Sequence, residues 1–232
     1  MENIYSDNFI ALVSESYTND TYIGTGNPNA PILIVGREGA TENISEEEVS
    51  LARKWLPIIQ NNEAVCFKEH YNNLPEGQTW TKYQKLYDYI FKKENESGGS
   101  NEFDFKEGFF TTEMNINRAK RTRGVSTEGM EDRKKTFFRH EFIQQFPVVV
   151  LACGNYIKNN DKVREIDDIF GVTFRNEVIA RQTEKKKYSF WIHSNADKSK
   201  LVIHTRQLSS DVPNELLKQI AMVISEFLQS EK

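Results

Sequence analysis

Three side chains of different chemistry stand at or just past the ends of strand-like apolar runs: the carboxylate of Glu38, the amide of Asn115 and the imidazole of His204. A carboxylate positions water and stabilises developing positive charge, while an imidazole can hydrogen-bond developing negative charge. An asparagine amide supplies a donor and an acceptor from one group, which suits it to reading a polar edge. Asn117, two residues on, is an equal candidate for that role. Each also has an ordinary reading: an exposed loop glutamate, a turn asparagine, a histidine satisfied by backbone groups at a strand end. His70, His140 and His193 lack a comparable context, and no two histidines share a metal-ligand spacing with a carboxylate. No metal and no cofactor is expected.

The runs that position these groups are Pro31–Val35, Gly108–Met114, Phe146–Cys153 and Lys200–Ile203. Continuous apolar runs of this length suit strands buried on both faces, and helical patterns between them imply a parallel sheet with right-handed crossovers. In such a sheet ligands bind outside the carboxyl ends of the strands. The tips there are Gly36-Arg37-Glu38-Gly39-Ala40, Asn115-Ile116-Asn117, Gly154-Asn155-Tyr156 and His204-Thr205-Arg206. Helices are expected near Ile4–Tyr17, after Ser45 until Pro57 disturbs the pattern, through Trp80–Ile90, over Asp132–Phe146 and Asp161–Phe170, and after Pro213. Alternation over Val172–His193 predicts an antiparallel hairpin on the sheet edge, and Ser97-Gly98-Gly99-Ser100 reads as an exposed loop.

With 38% apolar and 28% charged residues, the chain has the composition of a globular protein and the length of one α/β domain over residues 1–232. No secretory leader or membrane span is evident, so the reading is cytoplasmic with no membrane partner. Two cysteines exclude a disulfide framework and a four-cysteine cluster. A net charge of −4 argues against DNA binding by bulk charge. Locally, however, Arg118, Lys120, Arg121 and Arg123 follow the second strand and would give the crevice mouth a positive field, with Arg206 at the fourth tip. Lys185-Lys186-Lys187 reads as a solvated hairpin loop.

Taken together, the glycine-containing first tip, the run Val150-Leu151-Ala152-Cys153-Gly154-Asn155-Tyr156, and His204 opening the last tip resemble the uracil-DNA glycosylase superfamily. The entry Gly26-Asn27-Pro28-Asn29-Ala30-Pro31 is similar to that family's lead-in to its first strand. The resemblance implies a three-layer α/β/α fold with a four-stranded parallel core, here with an added edge hairpin. It further implies a DNA-base N-glycosidic hydrolase. Glu38 would then orient water, His204 would stabilise the departing base, Asn115 or Asn117 would read its edge, and Gly36 and Gly39 would let it approach. Gly39 stands where the family has proline, no aromatic stacker follows, and His204-Thr205-Arg206-Gln207-Leu208-Ser209 lacks the proline and serine that wedge duplex DNA open. The expected partner is therefore single-stranded or damaged DNA, or a free nucleobase or nucleotide. Tyr22, Phe67 and Trp80 are the candidate stackers. The alternative is a non-catalytic nucleic-acid or nucleotide-binding module on the same fold.

Overall fold

A computed structural model describes residues 3–19, 21–38, 51–67, 69–70, 78–92, 102–117, 125–209 and 211–230. It is a mixed α/β structure. Its strands are β1 (Thr25–Gly26), β2 (Ile32–Gly36), β3 (Glu69–His70), β4 (Glu102–Phe103), β5 (Phe109–Glu113), β6 (Val148–Leu151), β7 (Thr173–Gln182), β8 (Lys187–Ser194) and β9 (Leu201–Thr205). Seven of them form one sheet in the order β1-β5-β2-β6-β9-β8-β7, and β3 pairs with β4 separately. The pairs β5–β2, β2–β6 and β6–β9 are parallel. The carboxyl ends of these strands therefore share one edge of the sheet. β8 runs antiparallel to β9 and forms the edge hairpin with β7.

Strand periodicity sorts the apolar residues onto two faces. Leu33, Val35, Phe110, Val149, Leu151 and Val202 join Phe9, Leu12, Trp55, Phe142 and Ile166 in one core. Ile32, Ile34, Phe109, Val148, Val150 and Ile203 join Tyr83, Leu86, Leu216, Leu217 and Ile220 in the other. The helices Asp7–Asn19 and Leu51–Gln60 thus serve the first face, while Gln78–Tyr87 and Asn214–Ser230 serve the second. At the far end, Gly26 has φ +105°, and a Cβ there would stand 2.3 Å from the Phe109 carbonyl oxygen. Only glycine lets β1 approach β5 this closely.

Three expected helix boundaries are corrected. The helix expected from Asp161 begins at Glu165, because Asn159 and Arg164 pair as an isolated antiparallel bridge before it. Helix Leu51–Gln60 runs through Pro57 instead of ending before it. Proline removes one N–H donor, but its carbonyl still accepts from Asn61 N at 3.0 Å, and Trp55, Ile58 and Ile59 anchor the turn on the core. The single helix expected over Asp132–Phe146 is instead Met130–Lys135, a 3₁₀ turn Phe137–Arg139 and Glu141–Gln144. His140 adopts an extended ψ of 140° and its side chain accepts from Phe142 N, so it caps a new helix rather than continuing the old one. The Ser45 cap and the Ser97–Ser100 loop lie outside the described residues.

Candidate functional site: a cationic cleft beside a sealed histidine relay

β9 carries His204 directly opposite Trp191 of β8. On β8 the period of two puts Lys187, Ser189, Trp191 and His193 on one face, while Phe190 and Ile192 point into the second core. The first three of that row line a cleft of about 360 Å³ at the carboxyl edge of the parallel strands. Arg37 beyond β2, Asn155 beyond β6 and Arg206 beyond β9 complete the walls that matter chemically. Three cations face this space, and among the described residues that line it none is a carboxylate.

Each cation is held from behind. Arg37 Nη2 donates to Asn155 Oδ1 at 3.3 Å, its guanidinium lies 4.1 Å from the centre of the Tyr156 ring, and Nε stands 3.9 Å from Glu38 Oε2. Burial and then the Glu38 carboxylate raise the pKa of Tyr156, keeping its phenol protonated. Lys187 pairs with Glu177 at 2.8 Å, and Arg206 with Asp211 at 2.8 Å. Asp211 also takes Lys186 at 3.2 Å. The Lys187 and Arg206 pairs are substantially exposed, so they constrain the cations only weakly.

Behind Trp191 the chemistry is reversed. The His204 ring lies 5.3 Å from the Trp191 ring at 29°, so it covers one aromatic face. Its Nε2 is 2.9 Å from Gly154 O, and its Nδ1 is 3.1 Å from Asn159 Nδ2. The same Asn159 nitrogen is 3.1 Å from His193 Nε2, and His193 Nδ1 is 2.6 Å from Asp167 Oδ1. Hydrogen-bond valence assigns every proton. Arg164 can only donate, at 2.8 Å to Asn159 Oδ1, so the Asn159 NH₂ faces both histidines. Gly154 O can only accept, so His204 carries its proton on Nε2 and accepts at Nδ1. The Asp167 carboxylate likewise fixes the proton of His193 on Nδ1. Burial pushes the His204 pKa down to about 4 and lowers that of His193 despite the Asp167 carboxylate. Both rings are neutral near pH 7 and fully hydrogen-bonded.

The candidate residues read from the sequence fall in different places. Glu38, Asn115 and His204 all belong to the carboxyl edge of the parallel strands, but none lines the cleft. The Glu38 side chain is only 3% exposed. Asn115 is fully buried; its Nδ2 donates to Ser126 O at 2.7 Å, and its Oδ1 accepts from Asn117 N and Nδ2, both at 3.0 Å. Asn117 Nδ2 reaches Glu128 O at 2.8 Å. The two amides thus fasten residues 126–128 to the tip of β5. Gly36 lies against the Tyr83 hydroxyl, 3.3 Å from where a Cβ would be. Gly39, Arg118, Lys120, Arg121 and Arg123 lie outside the described residues. Among the described residues, Arg206 is the proposed backbone contact that lines the cleft.

Of the suggested stackers, Trp80 packs on Phe105 at 6.0 Å, Phe67 on Trp55 at 6.1 Å, and Tyr22 faces Arg133 at 6.0 Å. None lines the cleft; Trp191 does. Trp191 lies within the hairpin expected over Val172–His193, and of the expected Lys185–Lys187 loop Lys187 belongs to the strand. Lys187 is the first residue of β8, and the alternation from it through Ser189 and Trp191 was the available signal. Among the described residues, no group of three or more metal-ligating side chains converges and no helix is long and apolar enough to cross a membrane. No protein-family model matches the sequence, and no curated protein matches it significantly.

Proposed function

We propose that the chain binds nucleic acid or a nucleotide through the cleft at its strand tips and is not itself a hydrolase. The observation that carries this reading is the convergence of Arg37, Lys187 and Arg206 on one concave space, with no carboxylate among the described residues that line it. Guanidinium and ammonium groups in a concave wall are suited to phosphate oxygens. The fold assigned to it is three-layer α/β/α of the uracil-DNA glycosylase type. Four mutually parallel strands with an apolar core on each face support that assignment.

The glycosylase activity implied by the resemblance is the second reading, favoured by the Glu38 carboxylate beside Arg37 at the tip of β2. The relay weighs against it. A departing base needs a donor that is free to reach it, and His204 already spends its one N–H on Gly154 O. One experiment separates the two. A fluorescent single-stranded oligonucleotide is titrated with protein at ~50 mM salt, then treated with alkali after carrying uracil, hypoxanthine or xanthine. The expected result is saturable, salt-sensitive binding with intact strands. Strand breaks would restore the hydrolase, and absence of binding would remove the cleft as a nucleic-acid site.

A further inference from the structure

Resting on that reading, we infer that the cleft takes one unpaired nucleotide lying along β8, with its base stacked on Trp191. Trp191 has two faces: His204 covers one, and the ring lines the cleft. Alternate residues of a strand are spaced by ~7 Å. Trp191, Ser189 and Lys187 therefore present an aromatic face, a hydroxyl and an ammonium in a line. A nucleotide presents its base, sugar and phosphate in the same sequence. The Ser189 hydroxyl can both donate to and accept from a sugar hydroxyl. Arg206 lines the same cleft and adds a second cation for the phosphate. At about 360 Å³ the cleft is at the small end of ligand sites, with room for a base and its phosphate but not a duplex.

The surroundings select this ligand class. Three cations beside an aromatic face disfavour a cationic guest, which would otherwise be a natural partner for tryptophan. A simple anion would leave the aromatic face unused. A planar π-system joined to a phosphate engages both. The relay makes His204 a positioning residue: Asn159 and Gly154 O hold its ring, and its ring holds Trp191. The platform is thus ordered before ligand arrives.

The test uses oligothymidylate, an abasic strand of equal length and thymidine monophosphate, each titrated while tryptophan emission is recorded. Trp55 and Trp80 pack away from the cleft, so quenching lost in Trp191→Phe reports on Trp191. Wild type is expected to bind oligothymidylate at least ~10-fold more tightly than the abasic strand, as stacking on an aromatic residue implies. Trp191→Ala should remove that difference and leave abasic binding unchanged, while Trp191→Phe should largely retain it. Quenching by the monophosphate at matching occupancy would name a free nucleotide as the source, and quenching by the strand alone would name single-stranded nucleic acid. Equal binding of abasic and thymidylate strands by wild type, with unchanged emission, would overturn the platform while leaving the phosphate cleft standing. Binding of neither strand would overturn both.

Discussion

Trp191 borders two regions built from similar polar material with opposite use. On one side the Asn159 amide donates to both His193 and His204, and these donate in turn to the Asp167 carboxylate and the Gly154 carbonyl, which end the chain in two acceptors. On the other, Arg37, Lys187 and Arg206 line open space, Arg37 held by Asn155, Tyr156 and the buried Glu38, and the other two by Glu177 and Asp211 at the surface. The cleft lies at the carboxyl edge of the parallel strands, and the histidine network reaches that edge at His204. Location there does not make a group available to a ligand; unspent hydrogen-bond capacity does. The relay has spent its capacity on the fold, and the cleft has kept its own.

The most direct way to break this contrast is Asn159→Ala. It leaves one ring nitrogen on each of two buried histidines unpaired and removes the acceptor of Arg164. Unsatisfied buried polar groups cost about 1–3 kcal/mol each, so chemical denaturation should show a loss of roughly 3 kcal/mol or more. If stability changed by under ~0.5 kcal/mol, the relay would be ornamental.

Acidification tests the same region without mutation. Because the folded pKa of His204 is depressed to about 4, the unfolded chain binds the proton first as pH falls from neutral. The stability contributed by the neutral ring is present above the unfolded imidazole value, near 6.5. It is lost as pH falls from there towards 4, by an amount on the order of 2–3 kcal/mol. His193 is depressed in the same direction and adds to the slope. Denaturation midpoints measured between pH 7 and 4 should drop along this curve. His204→Gln should flatten it, and an unchanged slope in that variant would mean other groups dominate.

Much of this architecture was legible before any coordinates, and the reasons are physical. Ile32–Val35 and Val148–Leu151 are apolar at every position because both faces of the sheet are covered, so the strands and their shared carboxyl edge follow from composition alone. The β7–β8 hairpin announced itself through alternation. The site was harder to read, since a side chain's type does not disclose its partners. His204 has the right chemistry for catalysis, but Asn159 and Gly154, at sequence separations of 45 and 50 residues, occupy its nitrogens. Asn115 reads as a base-recognition amide until Ser126 and Asn117 claim it. Trp191 was missed for the converse reason. It stood in the expected hairpin, but which strand face meets a cleft is not written in alternation; only the register places it beside His204.

On the open side, Arg206→Ala should weaken single-stranded DNA binding at low salt and lower the log–log salt slope by about 0.7, the contribution of one phosphate contact. Its stability should stay within about 0.5 kcal/mol of wild type, because the Arg206–Asp211 pair is exposed. A matched loss of stability and binding would mean that Arg206 supports the fold rather than the ligand.

The smallest expected effect sharpens the comparison most, because it should improve binding. Glu177 holds Lys187 at 2.8 Å, and Lys187 together with a Ser189 hydrogen bond lowers the carboxyl pKa, so it is ionised at neutral pH. Any phosphate approaching Lys187 must compete with that charge. Glu177→Gln keeps the side-chain length and its capacity to accept from Ser189 while removing the charge. Lys187 then offers its ammonium undivided, and single-stranded DNA should bind a few-fold more tightly at ~50 mM salt, with the gain fading as salt screens the cleft. The double variant Glu177→Gln/Lys187→Ala should lose most of the gain, because without the ammonium little is left for the neutral amide to release. Removing an acidic residue anywhere on a chain of net charge −4 favours a polyanion slightly. Asp197→Asn, a change in the exposed turn after β8, controls for that general effect. If Glu177→Gln improves binding no more than this control, or if the double variant keeps the full gain, Lys187 does not contact phosphate and the β8 row is not the track of the ligand.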